Sequence, residues 1–126
     1  MIRAIIADDE ELARYTLRSM VEEISDIPIE VVGEAVDGKE LADLIKRKHP
    51  EVVFVDIRMP IMSGLEAIEE ANTEVRTIYW IVVSGYSEFN YARKALRLNV
   101  SDYLLKPVDP EEVEKALRKV QTDYRS

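Results

Sequence analysis

"VVFVDIRMPIMSG", residues 52–64, decides how this chain folds. Val52 to Val55 form an unbroken apolar run of strand-forming residues, which marks a strand covered on both faces. The run stops at a carboxylate, Asp56, and Pro60 and Gly64 then punctuate the chain. Strands apolar on both faces belong to parallel sheets with helices on each side. Such sheets keep their ligands in the crevice outside the C-terminal strand ends. The acid therefore stands where chemistry is expected.

Working outward, strand-like runs alternate with helical periodicity over the whole chain. "IRAIIA" (2–7) reads as the first strand and "DEELARYTLRSMVEEI" (9–24) as a helix with Ala13, Leu17, Met20, Val21 and Ile24 on one face. "IEVVGEA" (29–35) is the second strand, and Asp37-Gly38 leads into the helix "KELADLIKRKH". After the third strand, Gly64 opens the helix "LEAIEEAN". Residues 78–83 are the fourth strand, and "SEFNYARKALRL" (87–98) is the fourth helix with Ser87 as its cap. Residues 103–105 make a short fifth strand. Asp109-Pro110 starts the last helix, with Val113, Leu117, Val120 and Tyr124 on one side. The expectation is an α/β, three-layer, doubly wound sandwich: a five-stranded parallel sheet with five helices. Strand order 2-1-3-4-5 is one of its two common wirings.

Composition excludes several classes. The 126 residues suit a single domain, 47% apolar and 33% charged, which is globular rather than disordered. A formal net charge of −8 opposes direct contact with nucleic acid or anionic lipid. Absence of cysteine removes disulfides and thiolate chemistry, and the single histidine, His49, removes sites built from several imidazoles. Residues 1–8 are too short and too soon acidic for a signal peptide, and no run is long enough for a membrane span. The expected setting is cytoplasmic. The charged ending "EKALRKVQTDYRS" reads as the edge of a domain.

Assigned to strand ends, the chemistry-bearing residues converge. Strand 1 delivers Asp8 and Asp9, strand 3 Asp56, strand 4 Ser84, and strand 5 Lys106 followed by Pro107. Three clustered carboxylates repel unless a proton or a cation sits among them. An oxygen-only ligand set favours a hard ion, Mg2+ or Mn2+. An oxygen of Asp56 left free could then act as a nucleophile, with Lys106 and Ser84 holding the other oxygens of a phosphoryl group. Each piece alone has a plainer reading: a helix cap for "DDEE", a turn acid for Asp56, a loop exit for Ser84, a solvated lysine for Lys106 and sheet packing for Tyr103. Their combination after four different strands is what argues for a site.

At these residues the chain resembles the receiver domain of bacterial two-component response regulators. The matching stretches are "ADDEELAR", "VVFVDIRMPIMSGLEAI", "IVVSGYSEFNYARKAL" and "VSDYLLKPVD", spanning essentially the whole chain. The last two are most similar to regulators whose output domain is an AraC-type DNA-binding module, and no such module is present in these residues. The resemblance implies a flavodoxin-like fold and a single receiver domain over 1–126. It implies phosphorylation of Asp56 from a sensor histidine kinase, and Mg2+ held by Asp9, Asp56 and the backbone carbonyl of Arg58, with Asp8 acting directly or through water. Lys106 would contact the phosphoryl group, Ser84 and Tyr103 would be the switch residues, and the Lys106–Pro107 bond would be cis. Activation would change the face made by the fourth helix, fifth strand and last helix. Arg93, Lys94, Arg97, Asp102, Glu114 and Arg118 on or near it suit a symmetric homodimer contact or, equally, a solvated surface.

Rival classes fit less well. A phosphohydrolase with a strand-end Asp usually has a second Asp two residues later, where this chain has Arg58. Flavin and dinucleotide binders need a glycine- or hydroxyl-rich loop after strand 1, where "DDEE" offers repulsion. The remaining alternative is a non-phosphorylated interaction module of the same fold.

Overall fold

The computed structural model describes residues 1–71, 77–85 and 97–125. In chain order they form β1 (Ile2–Ala7), α1 (Glu11–Glu22), β2 (Ile29–Ala35), α2 (Gly38–Lys48), β3 (Val52–Asp56), α3 (Gly64–Ala71), β4 (Tyr79–Ser84), β5 (Asp102–Leu105) and α4 (Pro110–Arg125). All four strand pairings are parallel, in the order β2-β1-β3-β4-β5. The described residues thus hold five strands and four helices rather than five. The expected helix over 87–98 lies outside the described residues except at positions 97 and 98.

Burial explains the unalternating strands. Alternate residues feed opposite cores: Ile5, Ala7, Val53, Val55 and Val82 pack under α2 and α3. Ile2, Ala4, Ile6, Phe54, Ile81 and Val83 pack under α1 and α4. Each helix contributes one apolar stripe, Leu17 and Val21 from α1, Leu41, Leu44 and Ile45 from α2, and Val113, Leu117 and Val120 from α4. Tyr124 departs from expectation. It shares the α4 periodicity but is 49% exposed, because the helix runs on after the last side chain that meets the sheet.

Local signals set the helix ends. Asp37 caps α2, its carboxylate accepting from Glu40 N at 2.7 Å, and His49 closes the helix in the left-handed region at φ 49°. Ser63 Oγ accepts from Glu66 N at 3.2 Å while Glu66 Oε1 accepts from Ser63 N at 3.3 Å, a reciprocal capping box for α3. Asp109 accepts from Glu111 N at the start of α4. Asn99, at φ 60°, takes the left-handed conformation that asparagine tolerates better than most residues.

The loop from β3 to α3 is tightly folded. Gly64 N donates to Ile57 O at 2.9 Å, and a Cβ at Gly64 would crowd the carbonyl of Asp56 and lie 2.9 Å from Val55 Cγ2. Only glycine lets α3 begin so near the end of β3. Gly64→Ala should therefore destabilise the domain by about 2 kcal/mol, in the range of other overpacked sites. An unchanged urea midpoint would refute that. In the same loop Met62 N donates to Pro60 O at 2.7 Å around Ile61, whose φ is 70°. This is the γ-turn of positive central φ, rare and strained. A left-handed β-branched residue costs about 1–2 kcal/mol.

Candidate functional site

β1, β3 and β5 deliver three charged groups to one point. Lys106 Nζ donates to Asp8 Oδ2 at 2.8 Å and to Asp56 Oδ2 at 2.9 Å. These residues come from positions 98 and 50 apart in sequence, so only the parallel topology unites them. Asp8 is 5% exposed and Asp56 7%. Lys106 is placed by its own backbone, which donates to Ser84 O at 2.8 Å as β5 leaves β4. The Lys106–Pro107 peptide bond is cis. The three charges stand at one wall of a cavity of about 440 Å³ whose other walls are mostly apolar, with Leu12 and Leu17 from α1, Phe54 from β3 and Val108 after β5.

The acidic turn is built by contacts far apart in sequence. α1 starts at Glu11, two residues later than its periodicity suggested, so Asp8, Asp9 and Glu10 form a turn of their own. Arg14 fixes that turn, donating to Asp8 O at 2.9 Å and to Glu34 Oε1 at 3.1 Å on β2. The plainer reading of "DDEE" as a helix cap fails here, since Glu10 is the N-cap and no side chain caps α1. Asp8, Asp9 and Glu10 bring one carboxylate oxygen each to within 4.8 Å of one another. Glu10 was not among the expected ligands; the sign of it in the sequence was only its place in the acid run.

Burial dominates the electrostatics. Desolvation pushes the Asp56 carboxyl above its ordinary range, outweighing the opposing hydrogen bond and charge of Lys106; Asp8 adds repulsion and Arg58 N, donating to Asp56 Oδ1 at 3.2 Å, pulls the other way. Desolvation also pulls down the Lys106 ammonium, but its bonds to Asp8 and Asp56 prevail and leave it raised. Lys106 is thus fully cationic at neutral pH, one cation shared between two buried carboxylates. The consequence for stability has a definite sign. A carboxyl raised in the folded state binds its proton more tightly there than in the unfolded chain, so folding gains from acid and loses as pH climbs from about 4 through the raised value. In metal-free buffer the stability difference between Asp56→Asn and wild type should shift in favour of the variant across that window. A pH-independent difference would contradict it.

The other expected residues fall as follows. Asp9 is exposed and borders a neighbouring hollow with Ile57, Arg58 and Pro60 rather than the cavity holding Asp56 and Lys106. Ser84 ends β4, is 1% exposed, and its Oγ has no hydrogen-bond partner among the described residues. Tyr103 is half-buried in β5 beside Val82 and packs on the core under α2 and α3. Of the charged set considered for a dimer contact, Arg93 and Lys94 lie outside the described residues. Arg118 is engaged within the chain by Asp26 at 2.9 Å and Glu114 at 3.5 Å.

A 2-1-3-4-5 parallel sheet with two buried acids and a lysine meeting at its strand ends defines a doubly wound α/β domain with a charged pocket there. Comparison with known proteins makes the family specific. The chain belongs to the response regulator receiver domain family, whose model matches residues 4–118, and it is a signalling domain of the two-component kind. It is 40% identical over 123 residues to the transcriptional regulatory protein BtsR of Escherichia coli strain K12, covering 98% of this chain and 49% of that protein. It is 32% identical over 125 residues to the transcriptional regulatory protein YesN of Bacillus subtilis strain 168, covering 99% of this chain and 34% of YesN. Among solved structures it superposes on the REC domain of AraT, a response regulator from Geobacillus stearothermophilus, with a TM-score of 0.91 at 40% identity, covering 98% and 95% of the two chains. The chain spans half or less of the length of these curated relatives. Among the described residues no helix is long and apolar enough to cross a membrane.

Proposed function

We propose that Asp56 accepts a phosphoryl group from the phosphohistidine of a sensor histidine kinase, and that the acyl phosphate drives a change of state relayed to a DNA-binding output domain, of AraC type, in the same polypeptide. On this reading residues 1–126 are one receiver domain. The observation that carries the proposal is the two-way grip of Lys106 on Asp8 and Asp56 in a pocket with more negative charge than one lysine can balance.

The donor set fits Mg2+. It is all oxygen and hard: Asp8, Asp9 and Glu10 bring three carboxylate oxygens together, and the buried Asp56 carboxylate joins Asp8 on Lys106. Asp8, Asp9, Asp56 and the carbonyl of Arg58 would hold the ion, and Glu10 stands next to them. When bound, Mg2+ supplies neutralisation of the charge carried by the phosphoryl oxygens.

The chain's own residues do the rest. A carboxylate oxygen of Asp56 forms the new O–P bond as the donor's N–P bond breaks, and the electron pair leaves with the imidazole. Lys106 exchanges its contact with Asp56 for a phosphoryl oxygen. Ser84 has a buried hydroxyl with no partner among the described residues, a state that costs about 1–3 kcal/mol, and a phosphoryl oxygen at Asp56 offers it an acceptor. Movement of Ser84 toward that oxygen leaves room for Tyr103 to turn inward and alters the face of β5 and α4. Phosphorylation shifts this equilibrium only by its differential interaction with the two states. The test is incubation with acetyl phosphate and Mg2+ followed by intact mass measurement. A receiver gains a single phosphoryl group, and the passive interaction module gains none.

A further inference from the structure

Ile61 occupies the worst position in the β3–α3 loop for its residue type. Isoleucine is among the residues least suited to positive φ, yet Ile61 sits at 70°, at the apex of the strained turn closed by Met62 N and Pro60 O. Burial gives nothing back, because the side chain is 78% exposed. Glycine or asparagine would hold the same turn with less strain. The folded domain by itself therefore gains nothing from this side chain. Strain of this kind persists at functional sites, where something else requires it.

The position says what that is. Ile61 lies five residues beyond Asp56 in a loop that starts at the acceptor strand, and its neighbour Pro60 borders the hollow shared with Asp9 and Arg58. Asp56 is recessed, so a protein donor can reach it only by seating its surface on the surrounding rim. Leu12, on the wall of the cavity that contains Asp56, is a second large apolar residue left exposed there. We infer that Ile61 is a specificity-determining anchor, held out in a strained turn so that it buries itself against the phosphohistidine-bearing kinase during phosphotransfer. This rests on the proposed function and adds to it the residue that selects a protein donor over a small one.

The experiment compares two donors. Purified histidine kinases from the same genome, each carrying labelled phosphohistidine, are screened against the wild-type domain, and the fastest is kept. Ile61→Asn should slow transfer from that kinase about 10- to 30-fold at sub-saturating domain, an effect confined to KM, as expected for a buried side chain lost from an interface. Labelling from acetyl phosphate should stay within about twofold of wild type, and the urea midpoint should not fall. Ile61→Val, which keeps an apolar branched side chain, should recover most of the kinase rate. Equal kinase rates for wild type and Ile61→Asn, or transfer from no kinase in the screen, overturn the inference while acetyl phosphate labelling still reports on Asp56. Equal slowing with both donors also overturns it, since the loop would then be acting on the acceptor itself.

Discussion

Asp56→Asn should take up no phosphoryl group from acetyl phosphate and Mg2+, whereas the wild type should gain one. The amide is nearly isosteric and leaves Asp8, Asp9 and Lys106 in the chain, but it removes the only carboxylate of the cluster that β3 delivers to Lys106. Positioning a nucleophile beside its reaction partner is worth several powers of ten in rate, so the loss should be on the order of 100-fold or more, to the floor of an intact-mass assay. The variant also separates chemistry from stability. The carboxylate it replaces is buried and raised by desolvation, so at pH 7 without metal the variant should unfold at no lower urea concentration than wild type. Persistent labelling of Asp56→Asn, or a collapse of its fold, would each contradict this account.

Lys106→Met has the largest expected effect on stability. It leaves Asp8 and Asp56 facing each other with side chains 7% and 9% exposed and no cation between them. Removing one partner from a buried charge cluster costs about 3 kcal/mol, a large part of a small domain's total of about 5–15 kcal/mol. The penalty has a signature that a packing defect lacks. It should shrink as pH falls and Asp56, already raised by burial, takes a proton, and it should shrink again at neutral pH when millimolar Mg2+ replaces the missing charge. Urea titrations at pH 7 and pH 5, with and without Mg2+, check both. A loss that is the same under all conditions would mean that Lys106 packs rather than neutralises.

What the sequence made legible, and what it hid, divides along a physical line. Periodicity found β1, β2 and β3 almost residue for residue, β3 most clearly because it is buried at every position and carries no polar residue before Asp56. The strand ends then put Asp8, Asp56, Ser84 and Lys106 in one region, since a parallel sheet aligns all its C-termini. Details fixed by contacts between distant segments were not legible. α1 starts at Glu11 rather than Asp9 because Arg14 reaches across to Asp8 O and to Glu34 on β2, and no local pattern encodes that reach. This is also why Glu10 joined the acid group unannounced. Tyr124 followed the stripe of α4 in sequence but falls past the sheet, and a period carries no information on where its partner surface stops. Ile61 was hidden for the opposite reason: its residue type argues against the conformation it adopts.

The central claim is that clustered acids at the strand ends make one particular carboxylate a phosphoryl acceptor. The most direct test is to label the wild-type domain with acetyl phosphate and Mg2+, reduce the acyl phosphate with borohydride, and map the reduced residue by peptide mass spectrometry. The account predicts reduction at Asp56 alone, abolished by chelating the metal before labelling. Reduction at Asp8, Asp9 or Glu10 instead, or labelling at Asp56 that is indifferent to the chelator, would contradict it.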